Sequence, residues 1–240
     1  MTIARSVGSL LVAAALAGAV TSRSWAQPAP APYPSMAPLA QYLIADRAAE
    51  IALARSAAPD SISRHATVLV LGPHGYEKAV DGTNGFVCAV ERSWMSPFDA
   101  KQFWNPRLRG PVCYNPAAVR SILPITIRRT ELVLSGSSQP PTVDGVRAAL
   151  AGSRFPPLEP GAMCYMMSKD GFLDDAAGHW VPHLMFYAAA SDSGSWGADV
   201  PGSPVMLNPQ FLGAPERVSV FMVALRKWSD GTPAPALPEQ

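Results

Sequence analysis

The chain has 240 residues, 48% of them hydrophobic, which is enough to bury a core and excludes wholesale disorder. Charged residues make up 15%, the formal net charge is +1 and there is no basic tract, so no electrostatic surface for nucleic acid is expected. The 25 prolines and 18 glycines predict a fold rich in loops.

Residues 1–26 have the features of a secretory signal peptide. Arg5 supplies the positive charge, 7–20 form an unbroken run of apolar and small residues, and Ser24 and Ala26 suit a cut after residue 26. The run is shorter than the roughly 20 apolar residues that a membrane-spanning helix needs. We therefore expect an exported protein, periplasmic or secreted, with no membrane span after signal cleavage.

Residues 27–38 have proline at 28, 30, 32, 34 and 38, which predicts an extended, solvated leader of the polyproline type. The segment 232–240 holds three more prolines and predicts a disordered tail. Between these two segments, 39–231 are predicted to form a single globular domain.

The first half of this domain predicts a helix and then strands. Apolar residues recur at helical spacing over 39–56, and Pro59 ends the helix because it cannot continue the hydrogen-bond pattern. The β-branched run 67–71 predicts a buried strand. Turns rich in glycine separate it from 76–80 and 86–91, which predicts an antiparallel meander.

The second half interleaves short helices and strands. Asn115 followed by proline predicts a short helix to about 122, and Thr142 predicts the N-cap of another that ends near Gly152. Strands are predicted at 125–134, 162–168, 183–188 and 218–225. The pattern favours an α+β fold, a single domain with a mostly antiparallel sheet and two or three packing helices.

Two of the four histidines, His179 and His183, precede the clearest apolar strand. Pro182 argues against a helical zinc pair, whereas an extended chain would point both imidazoles to one side. Asp174 and Asp175 lie just upstream and would supply a carboxylate. The hypothesis is a metal or acid/base site; the alternative is a solvent-exposed His179 and a His183 that is hydrogen-bonded at the strand end.

The three cysteines permit three single pairings, and in an oxidising compartment Cys88 and Cys113 are the candidate disulfide. Cys164 lies in an apolar run, so it is interpreted as a buried, small hydrophobic residue. The chain has no C-x-x-C motif, which argues against a thioredoxin-like redox role.

An aromatic segment contains Trp94, Phe98, Phe103 and Trp104, which would line a ligand groove or form core beneath a long loop. The motif around Ser195 is not G-x-S-x-G, so it is interpreted as a polar loop rather than a nucleophile turn.

The motifs at 84–88 (Asn-Gly-Phe-Val-Cys), 91–94 (Glu-Arg-Ser-Trp), 178–180 (Gly-His-Trp) and 182–187 (Pro-His-Leu-Met-Phe-Tyr) resemble those of a group of exported bacterial proteins of unassigned function. The resemblance spans most of the mature body and implies no activity, cofactor or catalytic residue.

Two main functional hypotheses follow. The first is a non-enzymatic module that binds a small molecule or an envelope protein through the aromatic segment. The second is a metal-dependent or acid/base enzyme, hydrolase-like, that uses His179 and His183 with Asp174 or Asp175. A purely structural role in assembly with other envelope proteins is the third class.

Overall fold

The structure, a computed structural model, describes residues 32–135, 141–175, 178–208, 215–216 and 218–235, with the side chains of 191–193 left out. These residues belong to one compact unit that comprises 31–240. The predicted signal peptide, the leader up to residue 31 and the tail from 236 onward lie outside the described residues.

Eight strands form one sheet in the order β2-β1-β3-β4-β5-β6-β8-β7. Every neighbouring pair is antiparallel except β1 and β3, which run parallel. The predicted α+β fold with a mostly antiparallel sheet is therefore confirmed. The antiparallel meander predicted for the first three strands is wrong, because β3 pairs with β1 and not with β2. The strands are β1 Thr67–Gly72, β2 Gly75–Val80, β3 Val87–Glu91, β4 Gly110–Tyr114, β5 Met163–Met166, β6 His183–Ala189, β7 Val205–Asn208 and β8 Val218–Ala224.

Among the described residues, three helices have nine or more residues and two are shorter. The packing helices predicted over 39–56, 115–122 and 142–152 correspond to Arg47–Arg55, Pro116–Ser121 and Val143–Ala151. Short 3₁₀ turns occur at Leu39–Gln41, Ser93–Met95 and Ala190–Trp196. The helices are α1 Arg47–Arg55, α2 Asp60–Ser63, α3 Pro116–Ser121, α4 Leu123–Leu134 and α5 Val143–Ala151.

Side-chain caps set where the helices begin. The Asp46 carboxylate accepts a hydrogen bond from the Ala48 amide at 2.8 Å, so α1 begins at Arg47 and the prediction of a helix from 39 was too long. The predicted caps at Asn115 and Thr142 are confirmed, because both side chains accept backbone amide hydrogens of their own helices.

The strand predicted at 125–134 is wrong, since this stretch belongs to α4. Its β-branched start favoured a strand, but the buried positions recur every three or four residues, as on a helix. Three of these buried positions are polar, Thr126, Arg129 and Thr130, so hydrophobicity alone concealed the helical period.

The two faces of the sheet carry different residues because successive side chains of a strand alternate between faces. One face, here called the disulfide face, carries Cys88, Val90 and Cys113 and packs against alanines of the α1 region, Ala54 and Ala57. The opposite face, here called the cavity face, packs against α3, α4 and the aromatic segment, and its buried members include Val87, Val112, Tyr114, Cys164 and Val220.

The packed body extends beyond 39–231 at both ends. Tyr33 and Met36, in the predicted leader, pack against the core instead of remaining solvated. In the predicted tail, the Ala234 amide donates to the Arg226 carbonyl at 2.9 Å, and Pro233 forms a bridge with Lys227.

The aromatic segment forms core and not a groove. Trp94, Phe98, Phe103 and Trp104 are each at most 7% exposed. The Trp94 indole donates to the Thr130 hydroxyl at 3.1 Å, which attaches the segment to α4. The first functional hypothesis therefore needs a different binding surface.

Candidate functional site

A cavity of ≈ 120 Å³ lies between the cavity face and the segment that follows β3. An engineered apolar cavity of about 150 Å³ binds benzene, so this volume suits a molecule of similar size. Its walls are mostly apolar and include four methionines. They are formed by Glu91, Arg92, Met95, Ser96, Pro97, Leu108, Gly110, Met166, Leu173, Trp180, His183, Met185, Asn208 and Met222.

A second cavity of ≈ 60 Å³ adjoins the first, and the two share Glu91, Met95 and Met185 as walls. Its other walls are more polar, because they include the Arg129 guanidinium and the Glu216 carboxylate. Glu91 therefore stands where an apolar cavity meets a charged one.

Strand register explains why these side chains meet. Met166 of β5 lies opposite His183 of β6, and Met185 of β6 lies opposite Met222 of β8. Residues 183 and 185 share a face because they are two positions apart, and directly paired residues project to the same side. The sheet itself thus aligns three methionines and a histidine along one wall.

Glu91 ends β3 and is only partly buried by surface area, because its carboxyl faces the cavities. The Tyr114 hydroxyl donates to its Oε1, and that hydroxyl also lies 3.0 Å from Thr126 Oγ1. Burial raises the pKa of Glu91 to about 7, an effect that the Tyr114 hydrogen bond and the Arg129 charge reduce. Burial therefore moves the ionisation of this carboxyl towards neutral pH.

Arg129 is the second charged group at the cavities. Its Nη1 lies 3.3 Å from Glu216 Oε1, and its guanidinium lies 3.9 Å from the Phe98 ring centroid. Burial lowers the pKa of Arg129 to about 10. Neither carboxylate oxygen of Glu216 has a hydrogen-bond partner within the part of the chain that is described. The Phe98 ring of the aromatic segment thus contacts the buried Arg129 guanidinium and not a ligand.

Arg92 directs the chain out of β3 and over the cavity. It is fully buried, and its Nη2 donates to Glu50 Oε1 at 2.8 Å while its Nε donates to the Tyr42 carbonyl at 2.7 Å. The same Glu50 oxygen accepts the Leu71 amide at 3.1 Å. Because its polar atoms are largely satisfied by protein groups, this pair has a structural role.

His183 is 3% exposed and forms part of the cavity wall. Its Nδ1 lies 2.9 Å from the Val181 carbonyl, which can only accept, so Nδ1 carries the proton and Nε2 keeps a lone pair. Burial lowers the pKa of His183, which favours this neutral imidazole. The Trp180 ring lies 5.4 Å from the His183 ring between centroids.

The other predicted site residues lie in different surroundings. His179 is exposed, and its ring lies 5.9 Å from that of Trp228. Asp175 accepts from Arg107, Tyr33 and Asn105 in a surface network, and Asp174 forms a bridge with Gly178. Within the described ranges, no group of three or more His, Cys, Asp or Glu residues could hold a metal ion.

The predicted disulfide between Cys88 and Cys113 is present, with the two residues directly opposite each other on β3 and β4. Cys164 is free and buried, as predicted, and its Sγ lies 3.3 Å from the Tyr187 hydroxyl. Burial raises the pKa of the Cys164 thiol, so it is not a reactive thiolate. Ser195 is exposed in the 3₁₀ turn that follows β6.

Sequence reasoning missed most of the cavity residues. Glu91, Arg129 and the four methionines were not candidates, although two signals were present. Glu91 is the last residue of an apolar strand and Arg92 follows it. Charged residues are rarely buried in such a place without a partner. Met166, Met185 and Met222 fall in predicted strands, but which strands are neighbours was not determined by the sequence.

The fold and this site define an α+β protein with a methionine-lined internal cavity. Comparisons with protein families, with curated proteins and with solved structures find no match. The resemblance to exported bacterial proteins thus stays a prediction. The disulfide is compatible with an oxidising, exported location. Among the described helices, none has the length and apolar character needed to cross a bilayer.

Proposed function

We propose that this is an exported binding protein that takes up a small, mostly apolar molecule carrying one hydrogen-bonding group. The cavity of ≈ 120 Å³ would enclose the apolar part, and Glu91 would meet the polar group. The observation that carries the proposal is the position of the Glu91 carboxyl on a cavity wall that is otherwise mostly apolar. Binding sites commonly combine apolar walls with a few oriented polar groups.

Methionine suits this role because its flexible thioether chain adapts to ligands of different shapes. Near pH 7, Glu91 both donates, when protonated, and accepts, when ionised. Trp180, at 39% exposed, lies at the rim, where an incoming molecule would meet it first.

The test compares toluene, phenol and aniline by ligand-observed NMR and by thermal shift. We expect phenol and aniline to bind more tightly than toluene, and Glu91→Leu to remove that preference. Gly110→Val would place a branched side chain in the cavity and should abolish binding, whereas Gly110→Ala is the matched control. If all three probes bound to the Gly110→Val variant as tightly as to the wild type, the proposal would be refuted.

A second candidate function, general acid/base catalysis on the bound molecule, is favoured by one observation. A carboxyl with a pKa of about 7 is matched to proton transfer at neutral pH, and Tyr114 is hydrogen-bonded to it. Turnover of methyl acetate, an ester small enough for the cavity, should then follow ionisation near pH 7 and be lost in Glu91→Gln, with toluene binding as the check that the cavity of this variant is intact. Equal turnover in that variant would exclude catalysis by Glu91.

A further inference from the structure

The wall of the cavity formed by β5, β6 and β8 combines soft donor atoms in a way that the small-molecule proposal does not require. Met166 and His183 form one directly opposed pair, and Met185 and Met222 form the next pair along the strands. Directly opposed residues have Cβ atoms about 4.5–5.5 Å apart, and residues two positions apart on a strand are about 7 Å apart. His183 and Met185 lie two positions apart on β6, and Met222 lies directly opposite Met185 on β8, so these three side chains can reach one small ion. Met166 on β5 is separated from Met222 on β8 by the width of β6.

The imidazole of His183 is prepared to act as a ligand. The Val181 carbonyl binds the Nδ1 proton at 2.9 Å, so Nε2 is the nitrogen with a lone pair. A backbone carbonyl on the other ring nitrogen is the usual arrangement around metal-binding histidines, because it fixes the tautomer and the ring orientation. The ring is 3% exposed and belongs to the cavity wall.

Two further groups surround this wall. Met95 lies in the 3₁₀ turn that follows β3 and is also part of the cavity lining, so it adds a fourth thioether. Trp180 lies at the rim, with its ring 5.4 Å from that of His183 between centroids. An indole face attracts a cation electrostatically and shields it from water.

We propose that His183, Met185 and Met222 form a site for a soft monovalent cation, Cu(I) or Ag(I), with Trp180 covering it. Thioether and imidazole donors are soft or borderline, and thioethers select Cu(I) among the biological metals. The three donors are uncharged, which suits a monovalent ion, whereas zinc sites in proteins use thiolates, imidazoles and carboxylates. Glu91, at the same cavity, provides a nearby negative charge when ionised.

The first experiment titrates the purified protein with Ag(I), which needs no reductant, and with Cu(I) under anaerobic conditions against a chromophoric Cu(I) chelator. One equivalent should bind. With ¹³C-methyl-labelled methionine, the resonances of Met185 and Met222 should shift, whereas that of Met163, on the opposite face of the sheet, should not. Zn(II) should produce neither effect. Equal shifts for Met163, or binding of Zn(II) with the same affinity, would overturn the proposal.

Methionine-to-leucine variants test the ligands without disturbing packing, because the two side chains have similar volumes. Met185→Leu and Met222→Leu should each weaken Ag(I) binding about tenfold or more, and His183→Gln should do the same. Met163→Leu is the matched control and should bind as the wild type does. Unchanged affinity in the double variant Met185→Leu/Met222→Leu, with its fold verified by circular dichroism, would refute the site.

A separate control concerns the free thiol, because Ag(I) also binds sulfhydryl groups. Cys164→Ala should retain the ion, and loss of binding in this variant alone would assign the ion to the thiol instead. Gly110→Val, which should lose phenol and toluene, removes no metal donor and should still bind Ag(I). Loss of the organic probe with retention of Ag(I) separates the two proposals, and either can fail without the other.

Discussion

The two faces of the sheet are built on the same strands but differ in what covers them. The disulfide face is covered by α1, where the buried alanines Ala54 and Ala57 allow the helix to approach the strands closely. The cavity face is covered by an irregular aromatic segment and by α4, and it carries methionines, Glu91 and His183.

This difference shows how one sheet supplies both a scaffold and a site. On the disulfide face, small side chains and a cross-strand disulfide pack closely together. Long, flexible and charged side chains pack less perfectly, and cavities remain between them. The closed face therefore holds the strands in register while the other face presents its donors.

The largest expected effect on stability concerns the ion pair between Glu50 and Arg92, which links α1 on the disulfide face to the segment over the cavity face. Glu50 projects from α1 and binds Arg92 where the chain turns over the cavity. Glu50→Ala should cost about 3–5 kcal/mol of unfolding free energy, because it leaves a buried guanidinium without its counter-charge. Urea denaturation measures this loss. Glu131→Ala, which breaks an exposed pair with Arg128, should cost at most about 0.5 kcal/mol; similar losses in both variants would contradict a special role for the buried pair.

The next largest expected effect is a dependence of the unfolding free energy on pH, caused by Glu91. The pKa of this carboxyl is about 7 in the folded state and near its ordinary value in the unfolded chain, so the folded state holds the proton more tightly. The stabilisation that Glu91 contributes is complete below the ordinary pKa of a glutamate. It falls by up to about 1.4 kcal/mol per pH unit as the pH rises towards 7. Glu91→Gln should remove this slope and gain up to about 3 kcal/mol at pH 8.

The measurement for Glu91 is the difference between wild-type and variant unfolding free energies from pH 4 to pH 8. The lowered pKa of His183 acts in the opposite direction, because its neutral form is lost as the pH falls, but it is present in both proteins and cancels in the difference. A difference that does not change with pH would show that the Glu91 carboxyl titrates normally.

Packing tolerance should differ between the two faces. Ala54→Leu adds volume to the closed side and should cost about 1–3 kcal/mol, because Ala54 is fully buried. Met185→Leu, on the cavity side, conserves volume beside a cavity and should cost less than about 1.5 kcal/mol. Urea denaturation of both variants compares them directly. Equal costs would mean that the cavity face is packed as tightly as the disulfide face.

The smallest expected effect is an increase in the unfolding free energy caused by Gly110→Ala. A Cβ added at Gly110 would lie 3.4 Å from Leu173 Cδ2 and 3.5 Å from Met166 Cε, both ordinary contacts. Gly110→Ala should therefore raise the unfolding free energy by about 0.4–1 kcal/mol, largely by restricting the unfolded chain. Gly82→Ala is the contrast, because its Cβ would lie 2.1 Å from the Thr67 amide nitrogen and must destabilise. A loss of stability in Gly110→Ala would indicate that the cavity wall cannot accept an added methyl group.

Short sequence patterns predicted the structure correctly where it depends on interactions between residues that are close in the chain. The caps at Asn115 and Thr142 follow from short side chains that satisfy the first helical amides, and His183 to Ala188 was predicted as a strand because it is a short apolar run. The pairing of Cys88 with Cys113 was one of three options, and the antiparallel register of β3 and β4 selects it.

The sequence by itself determined the fold class, most of the strands and the buried nature of Cys164, since composition, period and capping act over a few residues. Only the tertiary structure decided the helical state of 125–134, the core position of the aromatic segment and the composition of the site. Which methionines stand beside His183 depends on strand order and register, and the pKa of Glu91 depends on burial by distant segments. Those are long-range properties, and no short window of the chain contains them.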